Sequence, residues 1–319
     1  MRETMSFNGL IKGLHHVTAT VNDAQEDVDF YTKVLGQRLV KETVNFDNER
    51  VYHFYYGNEI GSPSTIFTTF PYKDQGVKQG IIGNGQVYES VFSAPGNSMD
   101  FWRKRLASKG IAVKEETRFD REFLLFEDPS GLRLSIVEDK DDTRKPVWVT
   151  KDVAEEHAIR GIHSVVLAVK NVEETVSFLT DFGYQIKLDE APYTLLETNE
   201  KGAGNALMVL DGKHLPSGVN GLGTVHHVAH RVDSIDDSIK IKETLESEYG
   251  IQVTEVKDRK YFKSIYFRIP GNVLFEVATS APGFLVDESK DELGTSLKLP
   301  DWQEVRRQQI EKNLEPYER

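Results

Sequence analysis

Two segments far apart in the chain are near copies of one another: GLHHVTATV, beginning at Gly13, and TVHHVAHRV, beginning at Thr224. Each is a short run of strand type, followed by a polar break and then a helix-like stretch. A repeat limits the architecture more than any composition does, because copies must fold alike and bury their apolar faces against one another. Two weaker copies lie between them. QVYESVFSA begins at Gln86 and GIHSVVLAV at Gly161, so the four starts are 73, 75 and 63 residues apart.

The segments after these starts carry the helix signal. In NDAQEDVDFYTKVLG, Val28, Tyr31 and Leu35 fall on one helical stripe, and Gly36 stands where the helix would end. In DSIDDSIKIKETLESEYG, the same reading puts Ile235, Ile239 and Leu245 inside and Gly250 at the end. KNVEETVSFLTDFG and PGNSMDFWRKRLASKG follow the two weaker copies. The chain then returns to strands, as in the hairpins REFLLFEDPSGLRLSIVED and KSIYFRIPGNVLFEVAT. Each unit reads strand, helix, then about three strands. The expected fold is α+β: four βαβββ modules in two tandem domains, each an open cupped mixed sheet with helices outside.

The longest charged and weakly patterned stretch, residues 138–161, separates the second and third units. It places the domains at 1–147 and 148–319. The second domain includes a polar tail from about Pro282, whose one helix candidate, DWQEVRRQQIEKNLEP, is expected to pack on the surface. The first residues, MRETMSFNGLIKG, lack the apolar stretch of a signal peptide, and no apolar run approaches the ~20 residues of a membrane helix. A cytoplasmic protein is expected.

Composition narrows the chemistry. The 319 residues contain no cysteine, which excludes disulfides, thiolate metal sites and cysteine nucleophiles. Any metal must be held by nitrogen and oxygen. With 39 basic and 51 acidic residues the net charge is −12, a surface that repels nucleic acid and anionic lipid. A small-molecule partner fits better, and a homodimer is the default assembly.

Four of the nine histidines sit in the two HH pairs. Side chains alternate along a strand, so one member of each pair points squarely to a given face, and equivalent members point to equivalent sides. If the outer units are copies, His15 matches His226 and His16 matches His227. The third element is Glu276 in NVLFEVAT, an apolar strand on which Leu274, Glu276 and Ala278 share a face. A carboxylate buried there costs several kcal/mol unless it is paired or binds a metal. An HH pair alone fits a hydrogen-bonded structural pair, and a lone strand Glu usually faces water. The conjunction at equivalent repeat positions is what points to a metal. Two imidazoles and one carboxylate on one side, with open positions opposite, suit non-haem iron(II) activating oxygen. The inner units cannot repeat this set: Glu89 stands at the place of His227, Ser135 at that of Glu276 and Ser164 at that of His16. One metal site per chain follows, built from the outer units.

The repeated unit resembles the vicinal oxygen chelate superfamily, which includes glyoxalases, fosfomycin-resistance proteins and extradiol dioxygenases. Within it, LHHVT, DFYTKVLGQRLVKETVNFD, STIFTTFP, DDTR, VHHVA, DRKYFKSIYFRIPGNVLFEVAT and LGTSLKLP are similar to the hydroquinone ring-cleaving dioxygenases. These segments span nearly the whole chain. The resemblance implies His16, His227 and Glu276 as iron(II) ligands, with manganese(II) as the variant that sequence leaves open. It also implies catalytic roles for His15, Thr18, His226, Arg259 and Tyr266 around them. Tyr266 lies ten residues before Glu276 across a PGN turn, an even offset that could bring both to one face. Arg259 lies in KDRK, which on its own reads as a solvated loop. The implied activity is oxygen-dependent opening of a hydroquinone or catechol ring to a muconic semialdehyde type product, in aromatic catabolism or detoxification. His226 is the first candidate for the base that takes a substrate hydroxyl proton.

Two other readings remain at this level. One is a glyoxalase-like isomerase on zinc or nickel, which resembles a site with a fourth acid or amide ligand from the end of the first unit. That unit ends in STIFTTF, which has neither. The other is a non-enzymatic protein that sequesters an aromatic drug or quinone.

Overall fold

The computed structural model describes Phe7 and residues 9–319. The first module runs β1 (Leu14–Val21), α1 (Ala24–Asp29), β2 (Arg38–Asn45), β3 (Asn48–Gly57) and β4 (Ile66–Pro71). The second runs β5 (Gln86–Ala94), α2 (Met99–Ser108), β6 (Lys114–Arg118), β7 (Arg121–Glu127) and β8 (Arg133–Glu138). The third runs β9 (Gly161–Val169), α3 (Val172–Asp181), β10 (Gln185–Glu190), β11 (Tyr193–Glu197) and β12 (Ala206–Asp211). The fourth runs β13 (Thr224–Val232), α4 (Ile235–Glu248), β14 (Lys257–Asp258), β15 (Lys263–Arg268) and β16 (Leu274–Thr279). Four βαβββ modules are present, each opening at the position that the repeat marked.

Local chemistry sets the helix ends. Asp23 accepts from the backbone N–H of Gln25 and Glu26, Asn171 from Glu174 and Ser234 from Asp237, so α1, α3 and α4 begin on side-chain caps. After Asp29 the first helix widens into a π turn through Val34, and Gly36, at φ +69°, ends it. Gly250 ends the fourth helical segment in the same left-handed region, at φ +65°. The buried stripe of α4 differs from the expected one. Ser238, Ile241 and Leu245 face the sheet, while Ile239 is 39% exposed. Positions 238, 241 and 245 follow the i, i+3, i+7 spacing, and residue 239 lies off that line.

The strands form two eight-stranded mixed sheets, ordered β14-β15-β16-β13-β1-β4-β3-β2 and β10-β11-β12-β9-β5-β8-β7-β6. The architecture is α+β with two open, cupped sheets. The modules are not grouped in chain order, however: the first pairs with the fourth through antiparallel β1 and β13, and the second with the third through β5 and β9. The linkers explain how. Residues 79–84 and 217–222 run side by side, with bridges between Gln79 and Leu222, Ile81 and Val219, and Asn84 and Ser217. Both linkers cross together from one sheet to the other. Because loop-closure cost grows only slowly with length, joining strands some 200 residues apart carries little penalty. The cut at 147/148 falls in coil between β8 and β9, and each side of it contributes four strands to each sheet.

The main core, which includes Val17, Phe92, Trp102, Ile162, Phe178, Val228 and Phe275, lies between the helices and the convex sheet faces. Each concave face has its own smaller cluster. The tail candidate forms two short helices instead of one, α5 (Asp301–Glu304) and α6 (Arg307–Asn313). Leu297, Leu299, Ile310 and Leu314 pack with Val44, and Tyr317 and Arg319 bond Glu42, so the tail covers the exposed β2 edge. Just before it, the fully buried Lys41 ammonium meets Asp287 at 2.6 Å and also Glu288.

Two carboxyls sit inside the main core. Asp27 accepts from Tyr56 and Thr69 hydroxyls, both at 2.6 Å, and Asp128 from Tyr31 at 3.3 Å. Burial raises Asp27 from its ordinary 3.8 to about 8, against those hydrogen bonds, and raises Asp128 to about 7. The folded protein thus holds protons that the unfolded chain releases above pH ~4. This stabilisation is complete below the unfolded value and is lost as pH rises through 7 and 8. Asp27→Asn keeps a neutral side chain at every pH. Its melting temperature relative to the native protein is expected to climb steadily from pH 5 to pH 8 in calorimetry. A difference that stays flat would mean that Asp27 is already ionised at pH 5.

Candidate metal centre

Alternation alone would send the two members of an HH pair to opposite faces. The sheet register slips by one residue at both pairs instead. Leu14 opposes His230 but His16 opposes Ala229, and Thr18 opposes His227 but Ala19 opposes Val225. His15 and His226 are therefore the extra residues of two β-bulges, which re-aim side chains locally. Their rings lie against those of their neighbours, with Nδ1 to Nδ1 distances of 2.9 Å for His15 and His16 and 2.8 Å for His226 and His227. The other central pair repeats the device, with Tyr88 and His163 as the extra residues. The expectation that only one member of each pair serves a given face is corrected by these bulges.

Across the first sheet, one register line runs Tyr266, Glu276, Ala229, His16, Ile66. Ala229, fully buried, contributes a single methyl group, leaving a gap between β1 and β16 on the concave face. His16 and Glu276 meet in that gap, and His227 joins from two residues along β13. His227 Nε2 lies 2.8 Å from Glu276 Oε2, His16 Nε2 lies 3.2 Å from the same oxygen, and the two Nε2 atoms are 3.3 Å apart. All three side chains are buried. Both Glu276 oxygens nevertheless lack a hydrogen bond of proper geometry.

Three lone-pair donors thus point at one another. A divalent ion at ~2.1 Å from each, with the bonds at right angles, would space them about 3 Å apart, the spacing seen here. The donor set fits such an ion, and the orphaned carboxylate finds its partner in it. Burial pushes the Glu276 carboxyl up, but the imidazoles of His16 and His227 outweigh this and hold it well below the usual carboxylate range. Burial lowers His227, with Glu276 opposing.

Ligation also fixes protons. An imidazole that offers its Nε2 lone pair carries hydrogen on Nδ1. With a metal on Nε2, His16 and His227 would donate from Nδ1 to the Nδ1 atoms of His15 and His226, whose own hydrogens would sit on Nε2. Burial, and then the neighbouring His16 ring, lowers His15 from 6.5 to about 3, so it accepts as a neutral ring.

A cavity of about 360 Å³ opens over the triad, and His226, Tyr266 and Arg259 reach it. Arg259 Nε donates to the Tyr266 hydroxyl at 3.2 Å and Nη2 to Asp47 at 3.0 Å, so this arginine is part of the cavity wall and not of a solvated loop. Tyr266 sits directly opposite Glu276 in register, as the even offset required. Thr18 is fully buried and stays behind the cavity wall. Its hydroxyl bonds Thr68 at 2.9 Å, Thr68 bonds His53 Nε2 at 2.8 Å, and His53 Nδ1 bonds the Tyr55 hydroxyl at 2.9 Å. Burial lowers His53 and raises Tyr55, keeping both neutral. Sequence reasoning missed His53, Tyr55, Phe70 and Phe262, which complete the cavity. Alternation in VYHFYYG puts His53 and Tyr55 on one face, but no other module carries a copy to draw attention to them.

The second sheet serves as an internal comparison. Ser164 opposes Val91 and Val91 opposes Ser135, in the places of His16, Ala229 and Glu276. Glu89, in the place of His227, receives both Arg118 Nη atoms at 2.9 and 2.8 Å and the Ser135 hydroxyl at 2.6 Å. A guanidinium therefore supplies the positive charge there.

Residues 13–136 and 161–277 match the Glyoxalase/Bleomycin resistance protein/Dioxygenase superfamily. The chain is 43% identical over 302 residues to "Putative ring-cleaving dioxygenase MhqE" of Bacillus subtilis, covering 94% of this chain and 97% of that protein. It is 37% identical over 299 residues to the chlorohydroquinone/hydroquinone 1,2-dioxygenase of Sphingobium indicum, covering 91% of each. A crystal structure of a "putative dioxygenase" from Bacillus subtilis superposes with a TM-score of 0.92 at 39% identity, covering 97% of this chain and 98% of that one.

The gap at Ala229 can be tested. Ala229→Val adds two methyl groups between His16 and Glu276, while the second sheet already tolerates valine at the matching position, Val91. The metal-free variant is expected to melt within a few degrees of the native protein but to bind a divalent ion at least about tenfold more weakly in competition titration. Unchanged affinity would mean that the gap has no part in ligand placement.

Proposed function

The chain belongs to the glyoxalase/bleomycin resistance protein/dioxygenase superfamily, and from that premise we propose that it is an iron(II)-dependent ring-cleaving dioxygenase acting on hydroquinone- or catechol-type aromatics. The observation that carries this reading is the orphaned Glu276 carboxylate, fully buried against His16 and His227, both of which line a cavity of about 360 Å³. That volume suits one substituted ring. Among the described residues no fourth acid joins the three, and the strand at the end of the first module offers Ile66 and Thr68 instead. This weighs against a four-ligand isomerase. The Sphingobium relative, named for chlorohydroquinone and hydroquinone, favours the para-diphenol class.

His16, His227 and Glu276 would hold the metal, whose chemistry when bound is to orient the phenolic substrate beside dioxygen and pass electron density between them. Manganese(II) would satisfy the same ligands. The protein's own groups then divide the remaining work. Phe70 and Phe262 offer apolar walls to the ring. Arg259, through Tyr266, presents fixed positive charge that would hold a distal hydroxyl or stabilise anionic charge as it develops. His226 Nδ1 is committed to His227, so its free proton is at Nε2, facing the cavity. It donates there without rearrangement, whereas acting as a base requires it first to release His227. In that state His226 offers the substrate a hydrogen bond from Nε2, and it serves as the base only once Nδ1 is released from His227. His15 holds His16 in the ligating tautomer, and Thr18 anchors the His53–Tyr55 chain behind the site. We further propose a cytoplasmic enzyme in which the halves 1–147 and 148–319 are the domains, with a homodimer as the assembly. Among the described residues no helix is long and apolar enough to cross a membrane.

The test is anaerobic iron(II) loading followed by oxygen-electrode traces with a panel of hydroquinones and catechols. One dioxygen is expected to be consumed per ring opened. His16→Ala, His227→Ala and Glu276→Ala are each expected to lose bound iron and at least about 100-fold of the activity. A variant that keeps both would remove its residue from the ligand set. Bound zinc without oxygen uptake would replace the dioxygenase reading with an isomerase.

A further inference from the structure

An open cleft of about 930 Å³ runs from the concave face of the second sheet past Ile111 to Pro129, against about 360 Å³ beside His16 and His227. Its floor is the closed Arg118–Glu89–Ser135 network, in which Arg118 Nε also donates to Glu116 at 2.7 Å. With every charge there satisfied, the floor has nothing to offer a metal. The walls are largely apolar, with Leu125, Leu210 and Leu215 beside the rings of Tyr88 and Tyr193. Tyr88 faces this space because it is the extra residue of a bulge, the counterpart of His226 in the first sheet.

Arg133 is the exception to this balance. It lies at the start of β8 on the cavity wall, half-buried, with its guanidinium 4.4 Å from the centre of the Tyr88 ring. Among the described residues it has no carboxylate partner. Glu127 stands directly opposite it on β7, yet the two form no ion pair. In a chain with a net charge of −12, an acid was available next door, and the arginine turns to the ring and the cavity instead. Burial lowers its pKa, the mark of a desolvated cation lacking an anion. By contrast Arg118 is matched by Glu89 and Glu116, and Lys114 by Glu116.

We propose that the second cup is a binding site for a small aromatic monocarboxylate, with the carboxylate on the Arg133 guanidinium and the ring against Leu125, Leu210 and Tyr193. A guanidinium pairs with a carboxylate through two parallel N–H donors, and the tyrosine and leucine surface takes a flat apolar body. Glu127, directly opposite Arg133, and Glu116 and Asp211 on the same walls oppose a second negative charge, which restricts the ligand to a monoanion. The site holds no metal and performs no chemistry, and it does not depend on the reaction catalysed over the other sheet.

Benzoate and phenol, alike in size and different in charge, are the probes, titrated into the metal-free full-length protein by ligand-observed NMR or calorimetry. Benzoate is expected to bind saturably at one site per chain, with phenol at least tenfold weaker. Arg133→Met should weaken benzoate at least tenfold, while Arg259→Met, in the other cavity, should leave it within twofold. Leu125→Trp, which places an indole where the ligand ring would lie and keeps Arg133, should weaken benzoate at least tenfold and decides the matter if Arg133→Met does not fold. The proposal is overturned by native-like affinity in Arg133→Met or Leu125→Trp, by loss in Arg259→Met alone, by equal affinity for phenol, or by no saturation at ~10 mM benzoate.

Discussion

Everything at the first cup depends on one unbalanced charge. Glu276 is fully buried, and neither of its oxygens has a hydrogen bond of proper geometry, although two imidazole nitrogens crowd one of them at 2.8 and 3.2 Å. Hydrogen on those nitrogens would pair the acid locally, whereas lone pairs on them leave three donors and no acceptor. The second arrangement is stable only around a cation. Around such a cation the second histidine of each pair would carry its hydrogen on Nδ1, and the first would hold it there. On the proposed reading, a doubled histidine would act as one unit, a ligand and the group that orients it.

That unit could not be built on a regular strand, where adjacent side chains diverge. The bulges at His15 and His226 remove the divergence, and their counterparts at Tyr88 and His163 mark the bulge as a property of the module. Around it the sheet works as a ruler. Tyr266, Glu276, Ala229 and His16 stand in one line across four strands, and the smallest side chain occupies the place where the ligands must meet.

The two cups show one backbone solving one electrostatic problem twice. Where the first gathers two imidazoles and a carboxylate, the second closes a guanidinium on a carboxylate and a serine hydroxyl. The second floor balances its charge within the protein, whereas the first leaves a buried carboxylate and two imidazoles without such a partner. Breaking the Arg118–Glu89 pair would strand a buried charge at about 3–5 kcal/mol, so the second floor is held as firmly as the first without being able to bind a metal. What the second cup retains is volume, aromatic surface and one arginine without a partner.

Much of this was legible in the linear chain. The repeat announced four βαβββ modules and their starting points, because apolar alternation and helix caps are local properties that a strand or helix cannot hide. The doubled histidines and the acid in an apolar strand singled out His16, His227 and Glu276, because burying a carboxylate demands a partner. Tertiary structure decided what depends on neighbours distant in the chain. It joined the first module to the fourth, since the paired linkers carry the chain across between sheets and loop length penalises that pairing only weakly. It turned both histidines of each pair to one side, since a bulge exists only relative to a partner strand. It also brought His53 and Tyr55 to the cavity beside His16 and His227 and, among the described residues, left Arg133 without an anion, since which groups meet in space is set by strand register, and no residue states its register alone.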